Sequence, residues 1–176
     1  MAISWAQAGV DPKRRFKFKL KLGDIAEYYV KTATMPKANI SVIEHSYFDY
    51  NFKFPGRVTW DPISVTMVAP SRGIEDPTDL LYFYLEQAGY AFPDDTGNAA
   101  IGSSLSKQGF SDAFGGDPQL QLLDGLGQVV EEWTLRNAFL TNVDFGGSLD
   151  YTSDEMLELS MEINFDWAQK TQSGNF

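Results

Sequence analysis

The sequence predicts a mainly β domain with one amphipathic α-helix, and three observations carry that expectation. Long runs alternate apolar with polar residues, as in Arg15-Phe16-Lys17-Phe18-Lys19-Leu20-Lys21-Leu22 and again from Leu157 to Trp167. Side chains alternate faces along a strand, so each run has one apolar and one polar face. Apolar residues at helical spacing with both ends marked occur at one place, Leu80 to Ala88.

Taken in order, residues 1–13 read as an N-terminal arm ending at Asp11-Pro12. A basic strand follows at 14–22, and Gly23-Asp24 turns the chain. Ile25 to Met35 is strand-like and Pro36 closes it, because proline cannot donate to a ladder. Ile40–Ile43 and Asn51–Phe54 form the arms of a hairpin around His45 to Asp49, and Pro55-Gly56 predicts a turn. Val58 to Val68 is a strand interrupted at Asp61-Pro62. The helix starts at the N-cap Asp76, with Pro77 in the first helical position and Asp79 at the positive end of the dipole, and Gly89 stops it. Residues 90–118 read as one long loop, of the kind that is functional or ordered on binding. Strands return at Gln119–Leu123, Val129–Asn137, Phe139–Phe145 and Leu157–Trp167, before a loose polar tail at 168–176. With 43% apolar residues, 13 phenylalanines and no dividing linker, residues 1–176 are expected to form a single domain.

Charge is divided by sign. Residues 1–73 hold 11 Lys+Arg against 6 Asp+Glu, a balance of +5; residues 74–176 hold 3 against 18, a balance of −15. Like charges two residues apart on one strand face repel, so such strands want a counter-face of opposite sign, in the same chain or in a copy of it. The net charge of −10 disfavours adhesion to nucleic acid, a polyanion, but not its passage. No apolar run reaches the roughly 20 residues of a membrane helix, and the start shows no signal-peptide pattern, so no membrane anchor is expected.

The search for chemistry returns little. Cysteine is absent and His45 is the single histidine, so the usual zinc sets cannot form within one chain, and no metal or cofactor is expected. Gly-x-Ser-x-Gly, the P-loop and the dinucleotide fingerprint are all missing. Acidic neighbours such as Glu131-Glu132 point to opposite strand faces and are what an acidic chain shows by chance. The aromatic run Tyr47 to Phe54 fits a packed hairpin or a protein contact better than a base-stacking platform. An enzyme is therefore not expected. Amphipathic strands, surplus aromatics and charge split by sign are properties of a building block.

Val30-Lys31-Thr32-Ala33-Thr34-Met35-Pro36, then Asn51-Phe52-Lys53-Phe54-Pro55-Gly56, then Trp60-Asp61-Pro62-Ile63-Ser64-Val65-Thr66 resembles the tail tube proteins of contractile-tailed bacteriophages. The resemblance runs in order over residues 14–167, with a long insertion before Gln119 and a strong acidic bias in the second half as departures. It implies a β-barrel- or β-sandwich-like subunit that closes into six-membered rings joined as one larger β-barrel. Stacked rings would pass phage DNA without binding it, with sheath and baseplate proteins as partners, in a virion tail assembled in the host cytoplasm. Lys17, Lys19 and Lys21 are candidates to face Glu158, Glu162 and Asp166, in cis or across subunits, with surplus acid lining the channel. The hairpin Ile40 to Asn51, with His45 and Tyr47, is the candidate contact with the next ring. Three other readings remain: the inner tube of a phage-derived injection or secretion machine, a monomeric β-sandwich that binds a ligand through the aromatic hairpin, and a hydrolase built on acidic pairs.

Overall fold

A computed structural model describes residues 12–71, 76–91 and 104–171. Alternation builds most of it. The strands are β1 (Phe18–Lys21), β2 (Val30–Ala33), β3 (Lys37–Tyr47), β4 (Tyr50–Asp61), β5 (Ile63–Val68), β6 (Gln119–Leu123), β7 (Val129–Arg136), β8 (Phe139–Asp144), β9 (Glu158–Asn164) and β10 (Trp167–Thr171). Two four-stranded antiparallel sheets, in the orders β1-β6-β7-β10 and β2-β5-β9-β8, share one apolar core, and β3–β4 forms a separate two-stranded ribbon. Leu20, Leu120 and Leu135 enter the core from the first sheet; Ile63, Val65, Met67, Leu159, Met161 and Ile163 enter from the second.

Helix α1 (Pro77–Gln87) begins as the sequence predicts: the Asp76 carboxylate accepts from the Thr78 N–H at 2.9 Å, and Pro77 occupies the first turn. It buries Leu81 and Tyr84. Gly89 ends it with φ +110, a conformation that favours glycine, and a Cβ there would meet the Ser104 carbonyl at 2.5 Å. A second helix, α2 (Lys107–Ala113), lies inside the stretch expected to be loop. Ser106 caps it by accepting from the Gly109 N–H, and Phe110 and Phe114, four residues apart, bury in the core. The remainder of that stretch between 92 and 103, like most of the N-terminal arm, lies outside the described residues.

The structure corrects several boundaries. The basic strand is shorter than 14–22, and Ile25 to Met35 contains a 3-10 turn at Glu27–Tyr29 before β2. The stretch 58–68 belongs to two strands in different sheets, broken at Pro62. Leu157–Trp167 likewise divides at Phe165-Asp166 into β9 and the start of β10, and β10 takes up residues 168–171 of the expected loose tail. Pro55-Gly56 is not a turn. It lies within β4 at a β-bulge, where Val42 faces Pro55 and Ile40 faces Val58. Gly56 leaves room for the Ser41 side chain, whose Oγ accepts from the Arg57 N–H at 2.9 Å.

Tyr84 is fully buried, and its hydroxyl accepts from the Asp24 N–H at 2.9 Å, tying α1 to the turn after β1. Burial pushes this phenol above its ordinary pKa. Tyr84→Phe is expected to cost about 1 kcal/mol, read as a lower denaturant midpoint at unchanged m-value; an unaltered midpoint would mean that the tie carries no stability.

Candidate functional site

The β3–β4 ribbon is the surface that an isolated chain explains least well. Cross-strand partners share a face, so the register gives each face its composition. Near the base, one face holds Ala38/Trp60, Ile40/Val58 and Val42/Pro55, while the other holds Lys37/Asp61 and Asn39/Thr59. Beyond the bulge the character reverses. The first face carries the Glu44–Lys53 ion pair (3.5 Å) and the Ser46–Asn51 hydrogen bond (2.7 Å), and the second carries Ile43/Phe54, His45/Phe52 and Tyr47/Tyr50. These apolar side chains are exposed, Tyr50 at 70% and the tip residue Phe48 at 86%. Phe48 also sits at φ 52, a backbone region that a bulky side chain adopts at a cost. An isolated two-stranded ribbon is marginal in water, and a contiguous apolar patch of this kind marks a contact surface. Ile40, His45, Tyr47 and Asn51 all lie on this ribbon, with Ile40 and Asn51 on one face and His45 and Tyr47 on the other.

The second feature is the outer face of the β2-β5-β9-β8 sheet. Two rows cross it. Thr32, Thr66, Ser160 and Asp144 are in register, and beside them Ser64, Glu162 and Asn142 are in register. The alternate rows, such as Ala33, Val65, Met161 and Val143, pack on the core. One side of this sheet is therefore apolar and the other is lined with hydroxyls, an amide and acids.

The predicted charge pairing in cis does not occur, because β1 and β9 lie in different sheets. Lys19 pairs with Glu27 at 2.8 Å, Glu158 with Lys31, and Asp166 with Lys107 at 2.6 Å. Glu162 stands on the polar face between Ser64 and Asn142, and among the described residues Lys17, Lys21 and Glu162 make no ion pair. Sequence reasoning missed Glu131. It is buried, accepts from the Trp133 indole at 2.7 Å and from Lys13, and lies 3.6 Å from Lys170, so it pins the segment before β1 to β7 and β10. Among the described residues no cluster of three or more histidines, aspartates or glutamates is placed to hold a metal.

No protein-family model matches the chain, and no curated protein does. Solved structures do. A chain of the anti-feeding prophage cap, its tube-terminating cap, aligns with a TM-score of 0.66 at 20% identity, covering 98% of this chain and 100% of that one. A chain of the PVC sheath-tube complex, an extracellular contractile injection system in its extended state, gives 0.66 at 17% identity over 98% and 100%. A chain of the anti-feeding prophage baseplate gives 0.58 at 14% identity over 88% and 91%. The fold is shared with chains of the anti-feeding prophage cap and baseplate and of the PVC contractile injection system.

The fold has a well-anchored corner at Asp166, where the chain passes from one sheet to the other. Lys107, first, and the Asn137 amide, second, hold the Asp166 carboxyl below the usual aspartate range. A depressed native pKa contributes stability that is present above the ordinary aspartate range and is lost as pH falls through the native value. Lys107→Gln is expected to raise the Asp166 pKa toward its ordinary value in an NMR titration; an unchanged titration would mean that the pair does not persist in solution.

Proposed function

We propose that this chain is a structural, non-catalytic subunit of the inner tube of a contractile machine, assembling into six-membered rings that stack into a hollow conduit. The observation that carries the reading is the direction of the free edges of the β2-β5-β9-β8 sheet. Every pair within it is antiparallel, so β8 runs opposite to β2. Copies placed side by side around an axis would therefore join β2 of one to β8 of the next as another antiparallel pair. The sheet can repeat around a ring with no change of pairing type, and closure removes the edges. Contact of two different edges is the head-to-tail kind that closes by rotation. In the other sheet the edge strand β1 carries Lys19 and Lys21 and the edge strand β10 carries Lys170; β8 carries no lysine, and Lys31 of β2 is engaged by Glu158.

In such a ring the row Thr32, Thr66, Ser160 and Asp144 and its neighbour through Glu162 face the bore, and the apolar rows stay in the wall. A hydroxyl-lined, acidic bore suits passage without adhesion. Sheath and baseplate proteins are the expected partners, consistent with the assemblies that share the fold. The PVC assembly is an extracellular contractile injection system, which supports the injection-machine form of the reading; in a phage tail the same bore would pass DNA.

Negative-stain electron microscopy across a concentration series tests the proposal directly. Six-fold rings or hollow tubes are expected. Dispersed monomers at every concentration, with and without an added baseplate fraction, would overturn it. Phe52→Ser with Phe54→Ser, on the apolar half of the ribbon tip, is expected to leave the fold intact by circular dichroism and to abolish tubes; tubes of ordinary length would remove the ribbon from assembly.

A further inference from the structure

The two ends of the β2-β5-β9-β8 sheet differ in charge and shape. At one end lie Lys31, Val68, Glu158 and Asp144, joined by the connection 145–157. That connection carries Asp150, Asp154 and Glu155, which among the described residues have no cationic partner, together with exposed Leu149 (84%) and Met156 (69%). It is folded on its own end of the sheet. The Ala69 N–H donates to the Leu157 carbonyl at 3.0 Å, and a Cβ added to Gly146 would lie 2.6 Å from the Leu157 side chain. Asp150 accepts from the Thr152 N–H and hydroxyl, both at 2.9 Å.

At the opposite end, where β2 leaves the sheet for the ribbon, there is a groove of about 410 Å³. Phe18, Ala33, Met35 and Leu122 contribute its apolar lining and Arg14 and Arg15 its charge. Both arginines are exposed, and among the described residues neither meets an acid. The neighbouring Lys13 is already engaged by Glu131.

We infer that the groove at Arg14 and Arg15 receives the acidic connection 148–156 of a second copy of this chain, stacked end to end along the strand direction. An apolar floor with a guanidinium rim fits a segment that mixes carboxylates with Leu149 and Met156. The groove borders the Ala33 end of β2, while the connection closes the opposite end of that sheet, so copies stacked in one orientation bring them together. The reverse stacking sets acid against acid or arginine against arginine. Like-charge contact suppresses the wrong arrangement, so the charge pattern fixes the polarity of the stack as well as holding it. The inference rests on the tube reading for the existence of rings, and it adds which surfaces join one ring to the next.

The test uses the full chain in four forms: wild type, R14E/R15E, D154K/E155K and the fourfold combination. All four side chains are exposed, so each variant should match wild type by circular dichroism and melting temperature. Each double reversal is expected to give single rings in negative stain, and the fourfold variant, with its charges exchanged, to restore stacks. Wild-type stacks should shorten as salt is raised, since pairs at an exposed rim are screened. Ordinary stacks in both double reversals would overturn the inference and leave the tube reading standing. Loss of the rings themselves would place the contact between neighbours in one ring and also overturn it. A wild-type chain that never forms rings, even with a baseplate fraction, removes both readings.

Discussion

One antiparallel ladder organises the molecule. Pairing that begins at Thr32–Thr66 in the second sheet keeps the same register through Ala33–Val65, past the Thr34 N–H bond to the Ser64 carbonyl, and on to Lys37–Asp61 and Ile40–Val58 in the ribbon. The ribbon is therefore the overhang of two core strands. That constraint makes it possible at all, because two strands alone in water are at best marginal. The buried half, anchored by Ile63, Val65 and Met67, holds in register an exposed half reaching roughly 35 Å further. A chain that carries such an arm has its folding settled in one place and its contacts displayed in another.

The bulge at Gly56 gives that arm two characters. An inserted residue on one strand lets the apolar face pass from the Ile40/Val58 side to the Phe54/Phe52 side, so no single flat surface can cover both. At the base Trp60 packs on Phe165 of the chain's own core, whereas the apolar side chains of the tip stand exposed. The polar sheet face and the free edges of β2 and β8 add two further surfaces of distinct chemistry. Each of these surfaces would be a liability for a monomer, and each would find a use in the proposed closed, stacked assembly.

Periodicity made the buried elements legible. Helix α1 could be read with its cap, and β5 and β9 could be read from alternation, because one face of each packs on the core. Legibility failed where tertiary context decides. Pro55-Gly56 is a turn dipeptide by local chemistry, yet the ladder anchored in β2 and β5 carries the chain through it and absorbs the mismatch as a bulge. Helix α2 is seven residues long, too short for a period to show, and its signals were only the cap Ser106 and the spacing of Phe110 and Phe114. The candidate site divides the same way. The aromatic hairpin could be located from sequence, but the partners of Glu158 and Asp166 depend on which sheet each strand joins, and alternation is blind to that.

The division of charge along the sequence takes on a different meaning once the sheets are known. Opposite signs on amphipathic strands suggested that β1 and β9 neutralise each other. In the structure Lys19 finds Glu27 and Glu158 finds Lys31; Lys21 and Glu162 stay outside any ion pair among the described residues, and further unpaired charge stands on Arg14 and Arg15 at one place and on Asp150, Asp154 and Glu155 at another. Exposed pairs of this kind contribute little to the stability of a fold, about 0–1 kcal/mol each. Their value lies in choosing between arrangements that bury similar apolar area, because the wrong arrangement leaves like charges facing each other. In the proposed tube a subunit would add in one orientation, and there such discrimination would matter more than tighter contacts; arginines beside the Ala33 end of β2 and acids at the far end of its sheet would supply it.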